Sequence, residues 1–155
     1  MANKTDIELV KRWFLYDPTT GIITRKLKGR SNAPDTLNPK RTRIDLLGTR
    51  YRVTHIIWVL VYDKWPEEII DHKDGDQTNN KLLNLREATK IQNGYNRREF
   101  NPFGKGVTLQ NGKWKAQIQY NRQKLHLGYF DTHEEAAEAY QEASIKYHGD
   151  FACHH

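Results

Sequence analysis

A chain of 155 residues, 37% hydrophobic and 28% charged, is long enough for one ordinary domain or two small ones with modest cores. Lys and Arg outnumber Asp and Glu by 25 to 19, a net charge of +6 that favours a polyanionic partner. The single cysteine, Cys153, excludes an internal disulfide and a multi-cysteine zinc site; with no signal-peptide pattern and no apolar run beyond Ile56 to Tyr62, the expectation is a cytoplasmic protein without a membrane span.

Residues 5 to 15 predict a helix, with Thr5 as N-cap and Glu8 in the capping-box position, and with Leu9, Trp13 and Phe14 on one face. Asp17-Pro18-Thr19-Thr20-Gly21 is a turn and Ile22 to Arg25 a short strand. Residues 26 to 42, with Pro34 and Pro39, read as a long loop, and residues 43 to 54 as a hairpin around Gly48-Thr49. Arg25, Lys26, Lys28, Arg30, Lys40, Arg41, Arg43, Arg50 and Arg52 stand here against Asp35 and Asp45. So lopsided a run is either a solvated face or a track for a phosphate backbone. His55 to Tyr62 is then an apolar helix, stopped near Pro66.

Ile69-Ile70 runs into Asp71-His72, a carboxylate beside the side chain whose ordinary pKa lies nearest neutrality. A polar loop follows, rich in Asp, Gly and Asn, then the apolar run Leu82-Leu83-Asn84-Leu85, and after Glu87 a helix carrying Asn93. The local reading is strand, loop, strand, helix. An EF-hand loop is excluded, because Lys73 sits within it and no acidic residue closes it at the required distance. Phosphodiester hydrolysis would use these residues in distinct roles. Asp71 and the Asn93 carbonyl suit a hard divalent cation, His72 can act as general base, and Asn84 across the hairpin can orient its ring. Farther along the helix, Arg97 and Arg98 are candidate phosphate contacts or ordinary C-terminal helix cations.

Asp71-His72, Asn84 twelve residues after the histidine and Asn93 nine further on resemble the ββα-metal motif of HNH nucleases, in the His-Asn-Asn form of phage homing endonucleases. The flanks agree: Tyr16 to Gly21, Val53 to Trp58, Asn84 to Thr89 and Gln92-Asn93. Ile56 stands where the family usually has Arg, and His55 is either part of the motif's flank or a scaffold histidine. The resemblance implies one Mg²⁺ or Mn²⁺ on Asp71 and Asn93, products with a 5′-phosphate and a 3′-hydroxyl, and a phage gene acting in a bacterial host. One active site per chain means nicking by a monomer, or double-strand cleavage by a dimer.

Asn101-Pro102-Phe103-Gly104 breaks the pattern, so the expected domains are 1–100 and 101–155. In the second, strands at 106–109, 113–120 and 124–130 follow, the first two joined by Asn111-Gly112. Thr132 and Glu135 then open a helix whose Ala136, Tyr140, Ala143 and Tyr147 would pack on the sheet. Trp114, Ala116, Ile118, Tyr120, Leu125 and Leu127 form the core face. The segment resembles the APETALA/ethylene-response-factor DNA-binding domain through Gly106-Val107, Trp114 to Ile118, Leu127 to Phe130, and Glu135 to Tyr140. That resemblance implies duplex DNA contacts by the outward residues Lys105, Thr108, Gln110, Lys113, Lys115, Gln117, Gln119, Lys124 and His126. Charge supports it: five Lys/Arg and no acids from Lys105 to Lys124, six acids and one Lys from Asp131 to Asp150.

The expected fold class is therefore α+β, a ββα-metal nuclease domain followed by a three-stranded antiparallel sheet packed on one helix. Its expected function is metal-dependent DNA cleavage. The alternative is a catalytically silent DNA-binding regulator on the same scaffold. Candidate DNA contacts in the first domain are Arg25, Lys26, Arg43, Arg50 and Arg52, with Arg97 and Arg98 at its end.

Overall fold

The computed structural model describes residues 4–26, 35–46, 48–97 and 101–152. Arg98, Lys28, Arg30 and Cys153 lie outside them. The chain forms two compact units, 1–88 and 89–155. Both mix helices with small antiparallel sheets, as an α+β class requires.

The first unit opens with α1 (Lys4–Trp13) and β1 (Phe14–Asp17), so the helix stops two residues short of the expected end and Thr5 lies inside it. The reason is visible in the burial pattern. Phe14 is buried, Leu15 exposed and Tyr16 partly buried, the two-residue alternation of a strand. β1 pairs with β2 (Ile22–Arg25), and β2 with β3 (Asp35–Thr36), a short strand inside what the sequence predicts to be loop. Leu37 follows it into the core, its N–H donating to the Ile23 carbonyl at 3.0 Å.

The hairpin of β4 (Arg43–Leu46) and β5 (Thr49–Arg52) leads into α2 (Val53–Tyr62). This helix is apolar on most sides because it is the centre of the unit: Val53, Ile56, Ile57, Trp58 and Val59 pack against Val10, Phe14, Ile23, Ile44 and Ile70. Asp63 ends it in the left-handed conformation, φ 58°, its N–H returning to the Val59 carbonyl. β6 (Ile69–His72) then pairs with β7 (Leu85–Ala88). Leu82–Asn84 is a 3₁₀ turn instead of the start of the second strand. Leu83, 87% exposed, has no core to enter.

The second unit begins with α3 (Lys90–Tyr95), opened by a capping box between Thr89 and Gln92. Helix α3 packs with the C-terminal module, so the compact units part at Ala88/Thr89, one helix earlier than the break at Asn101 that the sequence predicts. The sheet β8 (Val107–Gln110), β9 (Lys113–Tyr120) and β10 (Gln123–Phe130) has β9 in the middle. Across it lies α4 (His133–His148), with Thr132 and Glu135 forming its capping box. Val107, Ala116, Ile118, Ala136, Tyr140 and Ala143 are the buried core. Among the described residues, no helix is long and apolar enough to cross a membrane.

Candidate active site and nucleic-acid interface

Strand β6 delivers Asp71 and His72 to the end of a two-stranded hairpin. Asp71 stands opposite Arg86, and its Oδ2 accepts from Nε at 3.0 Å and Nη2 at 2.9 Å. Both side chains are nearly buried, so this ion pair fixes the hairpin and the direction of the carboxylate. The His72 ring lies at partial exposure with Nε2 3.1 Å from Asn80 Oδ1. Asn80 is itself buried, and its carbonyl accepts from the Tyr16 hydroxyl at 2.7 Å. Burial, then the charge of Asp17, push the Tyr16 phenol up to about 12, so it remains a donor at any working pH.

Asn84 does different work from the role expected of it. Its amide nitrogen donates to Asp74 Oδ1 at 2.9 Å and to the Asn79 carbonyl at 2.7 Å, while its Oδ1 accepts from the Asp74 N–H at 3.1 Å. Both amide hydrogens are thus engaged in closing the loop, while Asn80 Oδ1 lies against the His72 ring. Asp74 is the hub of that loop, accepting also from Asn79 Nδ2 at 2.7 Å and the Asp76 N–H at 2.9 Å. Burial pushes its carboxyl up, but these hydrogen bonds and the nearby His72 outweigh it and hold the pKa below the usual range.

The turn at 17–21 buttresses this loop from behind. The Asp17 carboxylate accepts from the hydroxyls and backbone of Thr19 and Thr20, which hold it down to about 2, and Pro18 accepts from the Leu82 N–H at 3.1 Å. Gly21, at φ 76°, comes so close that an added Cβ would lie 2.6 Å from Lys81 N. Only glycine allows both that conformation and that approach.

Asn93 sits on α3, in the other compact unit, its N–H donating to the Thr89 carbonyl at 2.9 Å. Among the described residues no three His, Cys, Asp or Glu side chains cluster as a metal site.

The expected DNA-contacting residues divide into engaged and open ones. In the first unit, Lys26 Nζ donates to the Lys11 carbonyl, Arg25 lies over the Phe14 ring, and Arg50 pairs with Asp45 at 2.9 Å. Arg43 and Arg52, both exposed, stand directly opposite each other in the β4–β5 register. Like charges so placed repel unless an anion lies between them or over them.

In the second unit, Lys105 donates to the carbonyls of Tyr95 and Arg97, both at 2.7 Å, and so caps the C-terminal end of α3. Lys113 pairs with Asp131 at 2.6 Å. The remaining residues share the outward face by register: Thr108 beside Lys115, Gln117 beside His126, Gln119 beside Lys124, and Gln110 beside Lys113. Arg97 is exposed beyond α3.

Sequence reasoning misses one residue of that face. A bulge between His126 and Gly128 shifts the register, so Tyr129 pairs with Lys115 and turns outward, 54% exposed, while Phe130 turns in beside Trp114. His126 lies 4.9 Å from the Tyr129 ring, and the tyrosine hydroxyl reaches Gln110 Oε1 at 3.5 Å. The signal was there: Gly128 in the interior of a predicted strand marks a bulge.

Residues 51–95, from β5 to the end of α3, match the family model of HNH endonuclease. The chain is also similar to plant proteins. It is 33% identical over 128 residues to the AP2-like ethylene-responsive transcription factor CRL5 of Oryza sativa subsp. japonica, covering 79% of this chain and 19% of that protein. Two such factors of Arabidopsis thaliana, ANT and PLT2, are each 40% identical over 63 residues, covering 34% of this chain and 11% of theirs. The chain therefore spans about a fifth or less of the curated relatives it matches. No solved structure matches it.

Proposed function

We propose that the protein is a metal-dependent, site-selective DNA endonuclease of the phage homing type, with His72 as its general base. The observation that carries this reading is the Asp71-His72 pair, set by the Arg86 and Asn80 contacts at the end of the β6–β7 hairpin, inside the stretch that matches the HNH endonuclease family.

In this mechanism Nε2 of His72 donates to Asn80 Oδ1, and the other ring nitrogen serves as the base. It takes a proton from water as the water oxygen bonds to phosphorus. The bond to the 3′-oxygen then breaks, leaving a 5′-phosphate, and a solvent proton completes the 3′-hydroxyl. Asp71 and Asn93, the residues that would hold Mg²⁺ or Mn²⁺, each carry a hard oxygen donor of the type such an ion takes. When bound, a divalent cation neutralises charge developing on the phosphate. Asn84 acts by closing the loop that carries Asn80. The outward face of β8–β10 and the Arg43/Arg52 pair hold duplex DNA.

A second reading has an observation of its own. The Asp71 carboxylate is already paired with Arg86, and the curated relatives are transcription factors, which suits a DNA-binding regulator without cleavage. Supercoiled plasmid incubated with the protein and Mg²⁺, beside a chelator control, separates the two. Relaxed or linear product should appear only with the metal, and His72→Ala should abolish it while leaving duplex affinity unchanged. Cleavage by His72→Ala at the wild-type rate removes the mechanism; duplex binding by a wild type that never cuts establishes the regulator.

A further inference from the structure

Within the second unit, a half-open cavity of about 400 Å³ lies between α3 and the β9–β10 hairpin. Lys90 and Tyr95 line it from α3, Lys105 from the following loop, and Gln119, Arg122 and Lys124 from the hairpin. Its described lining thus holds four cations and no carboxylate. The Lys105 ammonium sits on the α3 carbonyls, but Lys90, Arg122 and Lys124 have no carboxylate partner among the described residues. Unneutralised cations gathered around one space repel each other and together attract an anion.

The turn at its rim points the same way. Asn121 and Arg122 both adopt left-handed backbone, φ 48° and 67°. The other hairpin of the same sheet solves the same two-residue turn with Asn111 and Gly112, φ 52° and 75°. Glycine is the ordinary residue at that second position, so Arg122 adopts it against its own backbone preference. Arg122 lines the cavity from that turn. Gln119 and Lys124, paired across β9 and β10, belong to the outward face of the sheet as well as to the cavity, so the two surfaces are continuous.

We propose that this cavity is an anion site for a backbone phosphate of the DNA strand leaving the outward face of the sheet, bound by Lys90, Arg122 and Lys124. It brings that strand to α3, the element that carries Asn93. The proposal rests on the DNA-binding reading above and adds a specific phosphate contact to it.

The test compares the full wild-type chain with Arg122→Gly and Lys90→Ala, measuring equilibrium binding to a short mixed-sequence duplex from about 50 to 200 mM salt. Glycine suits the left-handed position, so Arg122→Gly should keep or raise the thermal midpoint and any loss of binding is not a loss of fold. Each variant should bind several-fold more weakly at low salt, with a log-log salt slope shallower by about 0.9, the equivalent of one phosphate. Wild-type affinity and slope in both variants overturn the proposal while leaving the DNA-binding reading standing. Failure of the wild type to bind duplex overturns both. A deoxynucleoside monophosphate distinguishes the sources of phosphate: saturable binding of it that Arg122→Gly abolishes, with the duplex slope unchanged, assigns the cavity to a free nucleotide and overturns its assignment to DNA.

Discussion

Asn80 and Asn84 show how alike two residues can be in sequence and how unlike in consequence. Asn80 stands in the polar loop that reads as turn chemistry and Asn84 in the apolar run after it, and the sequence singles out Asn84 because it falls across the hairpin from His72. The fold instead gives Asn84 three hydrogen bonds to Asp74 and Asn79, and gives the ring of His72 to Asn80. Asn84→Ala should therefore act on stability. Losing a part-buried amide and stranding the Asp74 oxygen and the Asn79 carbonyl costs about 1–3 kcal/mol, seen as a lower urea midpoint with an unchanged m-value. On the proposed mechanism, in which Asn80 orients His72, Asn80→Ala should lower the cleavage rate more than it lowers that midpoint; equal stability losses with undiminished cutting by Asn80→Ala would assign it to the scaffold alone. The place of Asp71 and His72 at the end of a strand was legible because an acid and an imidazole follow directly on the apolar pair Ile69-Ile70. Asn80 was not, because its partner is eight positions away through a loop whose path the sequence does not specify.

Elements were read well where a single periodicity ran unbroken and poorly where it changed within a few residues. The four-residue strands of the β4–β5 hairpin, the capped helices α3 and α4, and the central strand β9 lie near where their patterns put them. Phe14 satisfies a helical and a strand pattern alike, and only its pairing with Arg25 decides for the strand. β10 holds the more consequential case. Strict alternation puts Tyr129 in the core with Leu125 and Leu127, but the bulge flips the strand after Leu127 and presents the tyrosine beside Lys115 and His126. A rigid aromatic on a basic, polar face is suited to a sugar or base edge. Tyr129→Ala should weaken duplex binding severalfold and leave the thermal midpoint near that of wild type, because the ring is more exposed than buried. Gly128→Ala should do the reverse order of damage: its φ of 148° disfavours a side chain and an added Cβ would meet the Phe130 ring at 3.2 Å, so the midpoint falls first and binding follows. Binding unaffected by Tyr129→Ala removes the tyrosine from the interface.

At the scale of the whole molecule, each compact unit has a histidine whose pKa burial pushes down. His148 in the second unit is 7% exposed, donates from Nε2 to the Gln119 carbonyl at 2.8 Å, and stacks on Tyr95 with ring centroids 3.8 Å apart. Burial pushes its pKa down, the bond to Gln119 works against that, and Lys105 adds to the downward push. His55 in the first unit is half-buried at the start of α2, and burial followed by the charge of Arg52 lowers it too. Neither role follows from the sequence, because desolvation depends on what the tertiary fold lays over a ring, and His55 reads either as motif flank or as scaffold. The direction for stability is the same in both units. A histidine with a folded pKa below its unfolded value of about 6.5 takes up its proton more readily in the unfolded chain. Its contribution is complete above that value and is lost as pH falls through the lower, folded one. The thermal midpoint of the full chain should therefore drop as pH is lowered from about 7.5 to 5.5, above the range in which Asp17 and Asp74 titrate. His148→Gln, which keeps a donor but cannot take up a proton, should make that decline shallower, and His55→Gln should remove most of what remains. A decline as steep in the double variant as in the wild type would place the titrating groups elsewhere.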